Sequence, residues 1–99
     1  MTVHNQVIME FPSRSANEGF ARAAAACFAA QLDPTLEEIN DIKTAVSEAV
    51  TNAIVHAYPN TIGKVRLRLR LRDDNVVEMV VRACMGFTIM ESFMDRVKR

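Results

Sequence analysis

The pattern of apolar and polar positions changes its period along this chain. Between residues 36 and 57, apolar side chains recur every three or four positions, which predicts a long amphipathic helix. Between residues 65 and 72, apolar residues alternate with arginines without interruption, which predicts a strand with one apolar and one basic face. The arginines of the basic face are Arg66, Arg68, Arg70 and Arg72.

Shorter apolar runs and turn signals predict the remaining elements. A strand over residues 3–11 stops at Pro12, and a turn at residues 73–75 joins the basic strand to a returning strand over residues 76–82. A last amphipathic helix is predicted to begin at Met85-Gly86-Phe87, because apolar side chains follow at helical spacing as far as residue 97.

Two capping patterns predict where the first two helices begin. Ser15 before Glu18, and Thr35 before Glu38, each place a hydroxyl side chain three residues ahead of a glutamate, as in a capping box. The first helix is predicted to end before Asp33-Pro34, because proline disfavours a helical conformation in the residue that precedes it.

Helices combined with an antiparallel hairpin predict an α+β fold. We expect a two-layer sandwich in which the helices pack on one face of a mainly antiparallel sheet. The length of 99 residues suits one domain, which we expect to extend over residues 1–99.

Composition narrows the classes of partner and compartment. Twelve basic and 12 acidic residues give a net charge of zero, so no global field attracts nucleic acid or an anionic membrane. Cys27 and Cys84 are too far apart in sequence to indicate a disulfide framework or a metal site, and Cys27 is predicted to lie in the core. Reduced cysteines and the lack of a signal peptide favour the cytoplasm.

Glu48, Asn52 and His56 stand four residues apart, which on an α-helix makes one slowly winding polar stripe. Spacing alone leaves two alternatives, a water-facing surface or a ligand site. Zinc is disfavoured because the set lacks its usual ligands, whereas an amide oxygen and a carboxylate suit Mg²⁺ or a nucleotide site.

The arginine stripe and the last predicted helix also leave alternatives open. The arginines indicate either a nucleic-acid surface or an exposed sheet face or edge, and the second is favoured because no aromatic residues are interleaved to stack on bases. Met85-Gly86-Phe87 at a helix start indicates either an ordinary turn or backbone N–H groups that bind a phosphate.

Residues 48–57 resemble the N-box of the ATP-binding fold shared by gyrase, histidine kinases and their relatives, the GHKL superfamily. More narrowly, residues 17–22, 30–35, 42–47 and 85–95 resemble the anti-sigma F factor family, whose members are serine protein kinases of spore-forming bacteria. The resemblance covers nearly every residue of the chain and implies a shortened histidine-kinase-like ATPase fold.

The resemblance implies a role for each matched position. Asn52 would hold the Mg²⁺ that bridges the ATP phosphates, and Glu48 would orient or deprotonate the attacking serine hydroxyl. Arg22 would belong to the surface that binds partner proteins. The other residues implied to line the ATP or ADP pocket are Ala53, His56, Ala57, Met85, Gly86 and Phe87.

The resemblance also implies partners. A member of this family binds and inhibits a sporulation sigma factor, phosphorylates an anti-anti-sigma factor as its protein substrate, and works as a homodimer. No direct contact with nucleic acid or with a membrane is expected.

The sequence departs from the family's pattern after the returning strand. Family members continue with Asp-x-Gly-x-Gly, whose aspartate holds the adenine amino group, whereas Arg82 is followed here by Ala83-Cys84-Met85-Gly86. That aspartate, its glycines, the ATP lid and the C-terminal strand have no counterpart in this sequence. Two alternatives follow: a Mg-ATP-dependent serine kinase, or a partner-binding form of the domain that holds no nucleotide.

Overall fold

Residues 3–73, 76–85 and 88–94 are described in the computed structural model of the chain, and they form a sheet and two long helices. A short 3₁₀ turn, Ala30–Leu32, follows the first helix, and a π-helical segment, Ala53–Ala57, follows the second. The elements in chain order are β1 (Val3–Pro12), α1 (Ala16–Ala29), α2 (Leu36–Asn52), β2 (Lys64–Arg72), β3 (Val77–Met85) and β4 (Thr88–Met94).

The sheet has the strand order β1-β2-β3-β4, and each neighbouring pair is antiparallel. Along β2 the predicted alternation is present, with Val65, Leu67 and Leu69 at most 1% exposed. These side chains share one core with the helices, which confirms the predicted α+β two-layer sandwich. The main helix residues of that core are Ala21, Ala25, Phe28, Ile42, Val46 and Val50.

α2 begins with the capping box that the sequence predicts. The backbone N–H of Glu38 donates to Thr35 Oγ1 at 3.1 Å, and the backbone N–H of Thr35 donates to the Glu38 carboxylate at 2.8 Å. The box satisfies two backbone donors that the first helical turn would otherwise leave without an acceptor. It fixes where α2 starts.

α1 begins without the predicted capping box. Ser15 has helical backbone angles (φ −56°, ψ −33°), and its side chain makes no capping hydrogen bond. The carboxylate of Glu18 instead accepts a hydrogen bond of 2.5 Å from Ser47 Oγ and lies 3.3 Å from Arg22 Nη1. A tertiary contact with α2 replaces the local cap, so this prediction is wrong.

The predicted last helix is also wrong, because Thr88–Met94 forms β4 and pairs with β3. Short apolar runs fit a helix and a strand equally well, so periodicity could not decide between them. Only two residues separate Met85 from Thr88, and the chain turns back to satisfy backbone groups along β3 that would otherwise form a bare edge.

α2 changes to π-helical turns at Ala53, which alters the predicted polar stripe. Backbone hydrogen bonds in a π-helix span five residues rather than four. The stripe therefore keeps its α-helical spacing from Glu48 to Asn52, whereas His56 does not lie one α-helical turn beyond Asn52.

Cys27 lies on the outer side of α1 and is exposed. The helix turns Ala21, Ala25 and Phe28 toward the core, which leaves residue 27 on the opposite side. The prediction that Cys27 is a core residue is wrong.

Candidate functional site

A shallow groove between α1 and α2 brings three of the predicted site residues together. One part of the groove is lined by Glu18, Arg22, Ser47, Glu48, Thr51 and Asn52. An adjoining part is lined by Arg22, Asn40, Lys43, Thr44, Ser47 and Glu48. Arg22 of α1 thus faces the same surface as Glu48 and Asn52 of α2.

Arg22 is held on the rim of this groove by two neighbours. Its Nη1 lies 3.3 Å from the Glu18 carboxylate, one helical turn earlier on α1, and donates to Ser47 Oγ at 3.4 Å. Ser47 Oγ in turn donates to Glu18 at 2.5 Å. The Arg22 side chain remains 44% exposed, so its guanidinium has donors left for a carboxylate of a partner.

Glu48 and Asn52 are exposed, one α-helical turn apart. Neither side chain has a hydrogen bond or an ion pair with another residue of the described part of the chain. A carboxylate and an amide oxygen with free lone pairs are the type of ligand that Mg²⁺ prefers. The pair is therefore chemically suited to a metal–phosphate group and to accepting a proton from a hydroxyl.

The remaining pocket residues implied by the resemblance lie elsewhere. Ala53 and Ala57 are 1% and 2% exposed and belong to the core, whereas His56 points to solvent from the π-helical segment. Met85 is the last residue of β3, and Gly86 and Phe87 lie outside the described residues. Residues 88–94 form β4, so the helix that the phosphate-binding hypothesis assumed after these positions is not present there.

Glu18 and Ser47 are site residues that sequence reasoning missed. Glu18 and Arg22 stand four positions apart on one helix, which is the spacing of a helical ion pair and could have been noticed. No sequence pattern pointed to Ser47, because only the packing of α2 against α1 brings its hydroxyl to Glu18.

Relatives of the chain share most of its length. It is 44% identical to the anti-sigma F factor of Caldanaerobacter subterraneus subsp. tengcongensis over 122 residues, covering 99% of this chain and 85% of the relative. It is 46% identical to the anti-sigma F factor of Pasteuria penetrans over 120 residues, covering 95% and 80%. The family model of the histidine kinase-like ATPase domain matches residues 11–84. The chain belongs to the anti-sigma F factors of this ATPase family.

This anti-sigma F family member is shorter than its relatives inside the aligned region. The aligned length of 122 residues exceeds the 99 residues of the chain by 23, so at least 23 positions of that relative have no counterpart here. The match to the ATPase domain ends at Cys84, where the sequence departs from Asp-x-Gly-x-Gly.

Within the described residues, no helix is both long enough and apolar enough to cross a bilayer.

Proposed function

We propose that this chain binds and inhibits a sporulation sigma factor in the cytoplasm, through the groove between α1 and α2. The observation that carries the proposal is Arg22, held by Glu18 and Ser47 on the rim of an open groove. A half-exposed arginine oriented in this way is suited to a bidentate contact with a carboxylate of the partner. The anti-sigma F factor names of the relatives supply the class of partner.

The proposal is tested by calorimetric titration of the sigma factor from the same organism into the purified chain. We expect saturable binding without added nucleotide, because the groove is formed by α1 and α2 alone. No heat of binding from a chain whose circular dichroism shows the α+β fold would contradict the proposed function.

We propose that the chain acts as a homodimer, as the resemblance implies. β1 is a ten-residue edge strand with Val7 and Ile8 40% and 52% exposed, and such an edge is suited to pairing with a second copy. Sedimentation equilibrium should give a mass of twice 11.1 kDa. A monomer at micromolar concentration would contradict this assembly.

A second candidate function is serine phosphorylation of an anti-anti-sigma factor. It is favoured by Glu48 and Asn52, which are exposed, without described partners, and in the same groove as Arg22. A substrate protein held by Arg22 would lie beside Glu48. That arrangement suits phosphoryl transfer, which depends mainly on positioning and on neutralising charge.

The roles of these side chains follow from their chemistry. Bound Mg·ATP would supply the phosphoryl group and neutralise its charge. Asn52 would hold the metal through its amide oxygen, and Glu48 would accept the proton of the serine hydroxyl or orient that hydroxyl. Arg22 would keep the substrate protein on the groove while the hydroxyl lies near Glu48.

Asn52 and Glu48 are therefore candidate ligands for the phosphate half of a nucleotide. No residue of this chain corresponds to the aspartate that binds adenine in the family. Arg82 is followed by Ala83, Cys84 and Met85 in β3, and none of these side chains offers the carboxylate that the family's aspartate provides. We infer that the missing internal positions fall here, where the match to the ATPase domain ends. A partner-binding form without nucleotide is the alternative to the kinase.

We predict that Asn52→Ala abolishes measurable binding of Mg·ATP, and that Glu48→Gln lowers phosphorylation of the anti-anti-sigma factor by about a hundredfold or more while nucleotide binding persists. The first variant loses a metal ligand, and the second loses a proton acceptor. Calorimetry with Mg·ATP and transfer of radiolabel from γ-labelled ATP measure the two effects.

Asn40→Ala is the matched control, because Asn40 is an exposed asparagine on the same helix at the far part of the groove. It should leave nucleotide binding and phosphorylation unchanged. If the wild-type chain binds no Mg·ATP at millimolar concentration but still binds the sigma factor, the kinase function is wrong and the nucleotide-free form is supported.

A further inference from the structure

The basic face of the sheet lies on a central strand. The order β1-β2-β3-β4 places β2 between two hydrogen-bonded neighbours. The sequence favoured an exposed sheet face or edge for the arginines, and because charges that prevent edge-to-edge pairing belong on edge strands, the central position of β2 leaves the sheet face. The stripe is the outward face of β2, on the side of the sheet opposite to the helices.

Positive charge is concentrated on this face although the chain as a whole is neutral. The register places β1 and β3 residues beside the arginines of β2, so the side chains of one face can be assigned across three strands. The basic residues of the face are Lys64, Arg66, Arg68, Arg70, Arg72 and Arg82, and the acidic residues are Glu10 and Glu78. Strands β1 to β3 therefore carry an excess of four positive charges on this face, and Glu91 of β4 stands opposite Arg82 in the register.

The two acidic residues lie beside the ends of the stripe, and Glu78 also lies 3.6 Å from Arg70 Nη1. Arg66 Nε donates to Glu10 at 2.8 Å, and Arg72 Nη1 donates to Glu78 at 2.7 Å. The hydrogen bond from Arg66 is the main reason that the pKa of Glu10 is lowered from its ordinary value of 4.5, which keeps that carboxylate charged. At the centre of the stripe, no acidic residue of β1 or β3 stands opposite the arginine.

Arg68 is the arginine at that centre. Its cross-strand neighbours are Ile8 on β1 and Val80 on β3, both of which are apolar. Among the described residues it has no ion pair, and its buried Nε has no hydrogen-bond acceptor. A guanidinium in this position costs stability, because it is repelled by the neighbouring arginines and partly removed from water.

A small concavity surrounds this arginine. It is lined by Arg66, Arg68 and Arg82 around the aliphatic side chains of Ile8 and Val80. Arg66 and Arg82 have interactions of their own, whereas Arg68 has no described partner, so its guanidinium has N–H donors available to an anionic group in the concavity. An arrangement that is unfavourable in the free protein becomes favourable when an anionic group enters it.

We propose that the outer face of the sheet, centred on Arg68, is a docking surface for an extended acidic segment of a partner protein. Alternate residues of an extended chain are about 6.6 Å apart, so carboxylates at every second position repeat at the same interval as the arginines of β2. The proposal is independent of the groove between α1 and α2, which lies on the helical side.

The face suits an acidic polypeptide better than a nucleic acid. Glu10 and Glu78 interrupt the positive charge at both ends, which disfavours the continuous phosphate backbone of DNA or RNA.

The test is a fluorescence-anisotropy titration of the full chain with a labelled octapeptide that alternates glutamate and threonine. At low ionic strength, we expect saturable binding that weakens as salt is added. Arg68→Gln should weaken binding about fivefold, which is the effect of losing one exposed ion pair of favourable geometry. The same variant should raise the temperature of unfolding, because it removes an unpaired charge.

Arg14→Gln is the matched control, because it removes the same charge from the exposed loop before α1. It should leave peptide affinity unchanged. The proposal is overturned if the peptide does not bind, if Arg14→Gln weakens binding as much as Arg68→Gln, or if an oligothymidine of equal charge binds more tightly. A lower unfolding temperature for Arg68→Gln would contradict the premise that Arg68 is unfavourable in the free protein.

Discussion

Replacing Arg22 by alanine is expected to weaken binding of the sigma factor by about thirtyfold or more without loss of the fold. Arginines near the centre of an interface commonly contribute 2 kcal/mol or more, roughly a factor of thirty in affinity. In the free protein Arg22 makes one half-exposed ion pair with Glu18 at 3.3 Å. Such surface pairs contribute only about 0.5 kcal/mol to the free energy of unfolding.

The affinity of each variant is measured by calorimetry, and its stability by thermal unfolding. Arg14→Ala is the matched control, because this exposed arginine lies outside the groove. Ser47→Ala should have a smaller effect than Arg22→Ala, since it removes only the hydroxyl that helps to orient the guanidinium. Equal affinities for the wild type and Arg22→Ala would show that the sigma factor binds elsewhere.

Gly63→Ala is expected to destabilise the fold by about 3 kcal/mol, at the upper end of overpacking effects. A Cβ at this position would overlap the ring of Tyr58. The ring cannot move aside easily, because Tyr58 is 5% exposed and its hydroxyl donates to the carbonyl of Lys64 at 2.8 Å. The substitution would also disturb the pair of 2.9 Å hydrogen bonds between Gly63 and Ser13.

Gly19→Ala is the matched control for this loop substitution. A Cβ there meets no atom closer than 3.7 Å, and replacing glycine inside a helix should raise stability by about 0.5–1 kcal/mol. Thermal unfolding followed by circular dichroism should therefore shift in opposite directions for the two variants. In a Tyr58→Leu background the loss of stability caused by Gly63→Ala should largely disappear. An equal loss in that background would show that overlap with the Tyr58 ring is not its cause.

The parts of the fold that follow from local rules could be predicted from the sequence. The alternation along β2 gave the buried face of that strand, and the Thr35–Glu38 box gave the start of α2, because both depend on residues near each other in the chain. Ser15 has helical backbone angles and makes no capping hydrogen bond, and the Glu18 carboxylate contacts Arg22 and Ser47 instead, of which Ser47 lies 29 residues away in sequence.

The parts that depend on pairing partners could not be predicted in this way. The apolar residues from Thr88 to Met94 fit both a helical and a strand periodicity. The segment forms a strand because it pairs with β3. The arginine stripe showed which residues share a face but not that β2 is central. For the site, the spacing of Glu48 and Asn52 placed them correctly on one face, whereas only the packing of α1 on α2 shows that Arg22 joins them.

The central claim is that this shortened member of the anti-sigma F family still inhibits its sigma factor through the groove that contains Arg22. The most direct measurement is run-off transcription by RNA polymerase carrying that sigma factor, with increasing amounts of the purified chain. We predict that the wild type reduces transcript in proportion to its concentration, and that Arg22→Ala at equal concentration leaves most of the transcript. Undiminished transcription in the presence of excess folded wild-type chain would contradict the claim.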